Sequence, residues 1–363
     1  MNGSVLDNVK KAVRDIVPYT LKQYVYDIKI NQNENPLDVP VSLKDEILEI
    51  ARERSWSRYP PFVAETLREK LAEYTGWCAD GILVGNGSNE LIQALLAVFL
   101  ADGDRLVLPA PTFTVYRLVG TVYGADVAEI PLRPDFTYDT DALAGAFLDG
   151  GDMIILCSPN NPTGCLFPLD TLESLLEETS KPVIVDEAYC EFSGVTALPL
   201  LEKHNNLVIL RTFSKAFSLA GLRVGYALMR PELAREVEKG VLPYNLNFFS
   251  MAAAEILLDR RAELSDSIDM LISEREPLVA AMNDLEGVTA YPSRANFIMF
   301  ETPYPPKRVL EALLKDGILI RDVSSYPMLG QALRVSVSTP EDNSRFLDSL
   351  AKAVRIFREE QGS

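Results

Sequence analysis

Short apolar runs punctuate the first two thirds of the chain. They are "GILVG" (81–85), "RLVLP" (105–109), "DVAEIPL" (126–132), "DMIILC" (152–157), "PVIVD" (182–186), "LVIL" (207–210) and "VGYALM" (224–229). Around them, apolar residues recur with a helical period at 42–54, 62–74, 89–100, 115–124, 139–149 and 169–178. Runs without polar alternation predict strands buried on both faces, and intervening helices predict parallel pairing. The expected fold class is α/β, with a mostly parallel central sheet covered by helices. In such sheets ligands gather at the carboxyl ends of the strands.

The pattern changes after residue 243. From Tyr244 to Glu276 there is no proline or glycine, which predicts one long helix or two abutting ones. Then "GVTAYP", "ANFIMFE", a helix at 306–315, "GILIRDV", "ALRVSVS" and a terminal helix predict a smaller α+β unit. The expected boundary lies near 245–255. It separates a large unit, residues 36–250, from a small one in which residues 1–35 pack on residues 251–363.

Composition narrows the chemistry. With 363 residues, 47% of them hydrophobic, the chain can bury a substantial core. No apolar run approaches the ~20 residues that span a bilayer. The N-terminal stretch "MNGSVLDNVKKAVRDIVPYT" lacks the apolar segment of a secretory signal. A cytoplasmic protein without a membrane partner is expected. The net charge of −17 disfavours nucleic acid, though a few arginines can still make a cleft attractive to small anions. The four cysteines form no C-x-x-C pair, so free thiols and no metal site are expected. The single histidine, His204, sits in the polar patch "EKHNN" and reads as a surface loop residue. A Ser-His-Asp triad or a His-rich metal site has almost nothing to be built from, and the proton shuttle of any enzyme here is expected to be a lysine, carboxylate or tyrosine.

Four strand ends carry candidate chemistry. Asp186 closes an apolar strand, where a carboxylate is costly to bury without a partner. It reads either as a helix N-cap or as a carboxylate that holds a proton on a ligand nitrogen. "CSPNNPTG" (157–164) reads as a tight turn or as a rigid loop presenting the Asn161 amide, with Asn161–Pro162 a candidate cis bond. In "VGNGSNELIQALL" (84–96), Gly85, Gly87 and Ser88 lead into a helix whose N-terminus suits an anion. The spacing is neither G-x-G-x-x-G nor a Walker loop, which leaves a single phosphate or a plain Ser/Asn cap. Finally, "RTFSKAFSLAGLR" (211–223) places Lys215 just past a buried strand, with Arg223 nearby. Burial favours a neutral amine, which can attack an aldehyde; the alternative is a lysine that reaches solvent. Each feature alone has its bland reading. Together they fit one ligand, pyridoxal 5'-phosphate, with Lys215 also placed to move a proton.

The motifs "NQNENP" (31–36), "RYP" (58–60), "VGNGSNE" (84–90), "PAPTFTVY" (109–116), "CSPNNPTG", "VDEAYCEF" (185–192), "RTFSKAFSLAGLRVGY" (211–226), "ILIRD" (318–322) and "LRVSV" (333–337) run in order along nearly the whole chain. In these the sequence resembles the fold-type I pyridoxal-phosphate aminotransferases, and among them the histidinol-phosphate aminotransferase branch. The resemblance implies Lys215 as the covalent anchor of the cofactor and Asp186 as partner of its ring nitrogen. It implies Asn161 and Tyr189 at the ring oxygen, and Ser88, Asn89, Ser214 and Arg223 at the phosphate. Tyr59 is implied to reach that phosphate from the other subunit of a homodimer. Phe113 stands where the stacking ring is often a tyrosine. Arg334 is implied to hold the substrate carboxylate, with Asn33, Tyr19 and Arg321 also binding substrate. The implied reaction is ping-pong transamination, in which glutamate donates the amino group that converts imidazole-acetol phosphate to histidinol phosphate in histidine biosynthesis. An aromatic amino-acid aminotransferase and a threonine-phosphate decarboxylase would share these motifs. A non-catalytic cofactor-binding sensor would need a DNA-binding domain, for which the acidic chain has no spare length. A nicotinamide dehydrogenase lacks its glycine fingerprint here.

Overall fold

The computed structural model describes residues 4–18 and 22–361. Its strands are β1 (Ile28–Lys29), β2 (Ile82–Asn86), β3 (Arg105–Ala110), β4 (Asp126–Pro131), β5 (Met153–Cys157), β6 (Val183–Asp186), β7 (Leu207–Thr212), β8 (Val224–Leu228), β9 (Thr289–Ala290), β10 (Phe297–Glu301), β11 (Ile318–Leu319), β12 (Arg321–Asp322) and β13 (Ala332–Ser336). A seven-stranded sheet has the order β2-β8-β7-β6-β5-β3-β4. Neighbours pair in parallel except β8, which runs antiparallel to both β2 and β7. Every residue of β5, β6, β7 and β8 is buried, as uninterrupted apolar runs require when helices cover both faces.

Register sets the working edge of this sheet. Cys157 pairs with Asp186, and Asp186 with Leu210, so the exits of β5, β6 and β7 lie level. The loops that follow hold Asn161, Tyr189 and Lys215 and emerge side by side. Because β8 runs the other way, its first residue pairs with Asn86 at the exit of β2. Arg223, just before β8, therefore joins the same edge. The direction of β8 left no trace in hydrophobic period.

The remaining strands build the smaller part. β12-β13-β10-β9 form an antiparallel sheet, and β1 pairs in parallel with β11. The run 317–323, read as one strand, divides at Ile320 between these two sheets. Ile28 and Ile30 share a core with Phe297, Ile318 and Phe346. The short helix Lys11–Arg14 lies instead against helix Val115–Tyr123, where Lys10 Nζ donates to the Val122 carbonyl at 3.2 Å.

The long stretch after residue 243 is two helices, Phe248–Asp259 and Ser265–Asn283, joined by a 3₁₀ turn. The first packs on helices Val41–Glu53 and Glu65–Thr75. The second buries Leu271, Leu278 and Met282 in the smaller core. It continues past Pro277, where the reading from sequence stopped; burial of Leu278 and Met282 offsets the cost of an interior proline. Helix Glu65–Thr75 starts three residues later than its apolar period, and a further short helix, Pro231–Val237, follows β8 with proline in its first turn. Among the described residues, no helix is long and apolar enough to cross a membrane.

Candidate active site

A cavity of about 280 Å³ opens at the carboxyl edge of the large sheet, facing β12 and β13. Its walls include Asn33, Ser88, Asn89, Phe113, Asn161, Asp186, Tyr189, Ser214, Lys215, Arg223, Arg321 and Arg334. Of the other two residues singled out from sequence, Tyr19 lies outside the described residues. Tyr59 is 76% exposed and absent from these walls; its ring stacks on Tyr244 at 4.4 Å.

Lys215 follows the exit of β7. Its Nζ donates to the Gln32 carbonyl at 2.8 Å. Burial and then the Arg334 charge push its pKa down to about 7, with Glu34 pulling the other way. Near neutral pH a large fraction of this amine is unprotonated, as nucleophile and base chemistry require.

Asp186 ends β6 and is buried. Burial raises its pKa to about 6, and two donors oppose that rise. Tyr116 OH donates to Oδ2 at 2.6 Å, and the Ala188 N–H donates to Oδ1 at 3.0 Å. Tyr116 was not picked out from sequence. It sits one helical turn beyond Phe113, inside an apolar period that reads as packing, and the two rings meet edge to face at 5.4 Å.

The anion cradle is built by close backbone approach. Helix Ser88–Phe99 begins at Gly87, which has φ +75° and no side-chain cap. A Cβ on Gly87 would stand 2.3 Å from Arg223 Nη2, and one on Gly225 would stand 2.2 Å from the Ser88 nitrogen. Both glycines therefore let a guanidinium and strand β8 close on the helix N-terminus. Arg223 Nη1 donates to Ser214 Oγ and to the Ala220 carbonyl, each at 3.1 Å. Thr212 Oγ1 in turn donates to Ser214 Oγ at 3.0 Å. Helix-end N–H groups, a serine hydroxyl and an arginine form a donor set that fits a phosphate monoester.

The tandem asparagines divide their work. Asn160 is fully buried: its Oδ1 accepts from Thr112 Oγ1 at 2.8 Å, and its Nδ2 donates to the Pro111 carbonyl at 3.0 Å. Asn161, before a cis proline, faces the cavity, and its Oδ1 accepts from Arg334 Nη1. Arg334 Nη2 donates to the Asn31 carbonyl at 2.8 Å. Arg321 pairs in register with Arg334 on the neighbouring strand, so two guanidinium side chains line the same wall. Asn33, at φ +57°, donates from Nδ2 to Tyr189 OH at 3.0 Å and from its backbone to Ser336 Oγ at 2.9 Å. Burial holds the Tyr189 phenol well above its ordinary range, so it stays a donor. The segment 31–33 thus bridges the two parts of the molecule over Lys215. Away from the cavity, His204 is half-buried, with Glu173 and Glu177 near it.

Comparison with known proteins places these features in a family. The description "Aminotransferase class I and II" matches residues 26–350. A histidinol-phosphate aminotransferase of Desulfitobacterium hafniense (strain Y51) is 37% identical over 96% of this chain and 97% of its own. The structure of a histidinol-phosphate aminotransferase from Sinorhizobium meliloti, in complex with pyridoxal-5'-phosphate, is similar with a TM-score of 0.84 at 23% identity, covering 92% of each chain. That of an L-threonine-O-3-phosphate decarboxylase from Porphyromonas gingivalis gives 0.79 at 24% identity, covering 92% of this chain and 99% of that one. The fold is thus shared by enzymes of different outcome, while sequence similarity over the whole chain is to transaminases. The chain belongs to the class I and II aminotransferase family.

Proposed function

We propose that the protein is a pyridoxal 5'-phosphate-dependent histidinol-phosphate aminotransferase of histidine biosynthesis. It moves an amino group between L-histidinol phosphate and 2-oxoglutarate, giving imidazole-acetol phosphate and glutamate. One observation carries the reading: a buried Lys215 whose pKa is pushed down to about 7, a buried Asp186 and an arginine-flanked helix N-terminus converge on one cavity. When bound, the cofactor supplies an electron sink that eases removal of the substrate's α-proton. Lys215 anchors that group at rest, then holds and moves the proton at Nζ. Asp186 holds a proton on the ring nitrogen, with Tyr116 fixing the carboxylate. Asn161 and Tyr189 hydrogen-bond the ring oxygen, and Phe113 packs on the ring face. Ser88, Asn89, Ser214 and Arg223 hold the phosphate.

Substrate recognition falls to Arg334, Arg321 and Asn33, with Tyr19 as a further contact. Both amino donors carry an anion, and a planar guanidinium grips carboxylate or phosphate through two bonds. The curated relatives favour this substrate over the aromatic and decarboxylase readings. The expected outcome with 2-oxoglutarate as acceptor is a kcat/KM for histidinol phosphate at least about tenfold above that for phenylalanine. Threonine phosphate should release no CO₂. Preference for phenylalanine, or CO₂ release, would overturn the substrate assignment.

The working unit on this reading is a cytoplasmic homodimer in which Tyr59 completes the partner's phosphate site. Supporting it, Tyr59, Phe62, Trp56 and Leu242 are all exposed, an apolar surface that asks for a cover. Residues 36–250, with helices Lys11–Arg14 and Phe248–Asp259 packed on them, form the cofactor-binding unit, and residues 28–30 with 265–361 form the smaller unit that faces it across the cavity. Tyr59→Ala and Lys215→Ala chains, mixed and re-annealed, should regain activity that neither has alone, because the hybrid holds one intact site. Mixed chains no more active than their parents would rule out the shared site.

A further inference from the structure

Behind the cavity lies a buried ion pair that the reaction does not use directly. Arg211 Nε donates to Glu187 Oε2 at 3.0 Å, and Arg211 Nη2 lies 2.9 Å from the same oxygen. Thr196 Oγ1 donates to Oε2 at 2.8 Å, and the Ala197 N–H donates to Oε1 at 2.6 Å. Arg211 Nη2 also donates to Thr196 Oγ1 at 2.7 Å. The two side chains are 2% and 7% exposed, so the pair is almost wholly out of water yet richly bonded.

Its place in the chain is the informative part. Glu187 directly follows Asp186, and Arg211 directly precedes Thr212. Asp186 and Thr212 line the cavity, whereas Glu187 and Arg211 do not. The Glu187 N–H donates to the Leu210 carbonyl at 2.8 Å, which keeps β6 and β7 paired one residue beyond their last ladder partners. The pair therefore ties two strand exits together on the far side of the sheet. One exit carries Asp186 and Tyr189; the other carries Ser214 and Lys215.

Energetics argue against stability as the reason for the pair. Removing two charges from water costs about as much as their attraction returns, and well-packed apolar residues are often as stable in their place. A buried pair with fixed, directional bonds instead fixes geometry, and misplacing reacting groups by about 1 Å can cost on the order of 10²-fold in rate.

We propose that Glu187 and Arg211 are positioning residues, which lock the exits of β6 and β7 so that Asp186 and Lys215 meet the same ligand. This rests on the cofactor reading given above. The deciding variant is Glu187→Leu with Arg211→Met, which exchanges the pair for apolar side chains. It leaves the buried Ala197 N–H without its acceptor and the Glu191 carboxyl without the Arg211 charge, so its Tm should fall modestly while the fold is kept. Its kcat should fall about ten- to a hundredfold with KM little changed. Its dissociation constant for added pyridoxal phosphate should rise, and the visible band of the bound cofactor should move. A stable double variant with wild-type kcat, cofactor affinity and band would overturn the proposal while leaving the cofactor reading intact. Wild-type protein that fails to bind pyridoxal phosphate would sink both. If the double variant does not fold, Arg211→Lys keeps the charge and loses the forked geometry. The same drop in kcat at near-wild-type Tm supports positioning, and unchanged kcat and band refute it.

Discussion

Replacing Lys215 by alanine is expected to lower kcat by at least about 10⁴-fold, the upper end of what one positioned base contributes. The loss exceeds that of a base alone, because the covalent anchor disappears as well. The phosphate cradle of Ser214, Arg223 and the helix N-terminus stays in place, so cofactor should still bind, with a changed visible spectrum. Steady-state rates and an absorbance titration check both statements. Activity within tenfold of wild type would show that Lys215 is not the base.

The same lysine carries a stability cost with a defined sign. Its pKa is about 7 in the folded chain, below the ordinary 10.5. The unfolded chain therefore binds the proton more tightly, and folding is penalised increasingly as pH falls from about 10.5 to about 7. Below that window the penalty is complete. Without cofactor, Lys215→Met should gain stability over wild type through this window and then level off. A more stable but inactive variant is the usual mark of a site that stores strain for function.

Much of this was legible in the sequence, for a physical reason. Strands buried on both faces must be apolar throughout, so a polar residue at their exit stands out. That is how Asp186, Asn161, Ser214 and Lys215 became visible. Tyr116 was not, because one phenol within a helical apolar period looks like packing until its oxygen is seen on Asp186. Nor was the Glu187–Arg211 pair, whose meaning depends on β6 and β7 being neighbours. Arg223 was named from its motif, but its arrival at the cavity depends on β8 running antiparallel, and side-chain period carries no strand direction. Segment 31–33 entered only through resemblance, since Asn31 meets Arg334, Gln32 meets Lys215 and Asn33 meets Tyr189, contacts that only the folded chain brings together.

Asp186→Asn is the second large effect expected, a fall in kcat on the order of 10²–10⁴-fold for both half-reactions. Asparagine fills the same space and can still meet Tyr116 and Ala188, but it cannot hold a proton on the ring nitrogen by charge. The fold should not suffer. Asp186 has a pKa of about 6 in the folded chain against an ordinary 3.8, so the folded form binds its proton more tightly. Stability from this group is fully present below about 3.8 and is lost as pH rises through about 6. Without cofactor, the asparagine variant should match wild type in acid, gain on it between those values and keep a constant advantage above. Tyr116→Phe gives the graded comparison. It removes the strongest opposing donor, so the Asp186 pKa rises further and the acid limb of the rate profile moves to higher pH, with a loss of about tenfold near neutrality. An Asp186→Asn enzyme with a wild-type rate, or a Tyr116→Phe profile with an unmoved acid limb, would remove Asp186 from the role assigned to it.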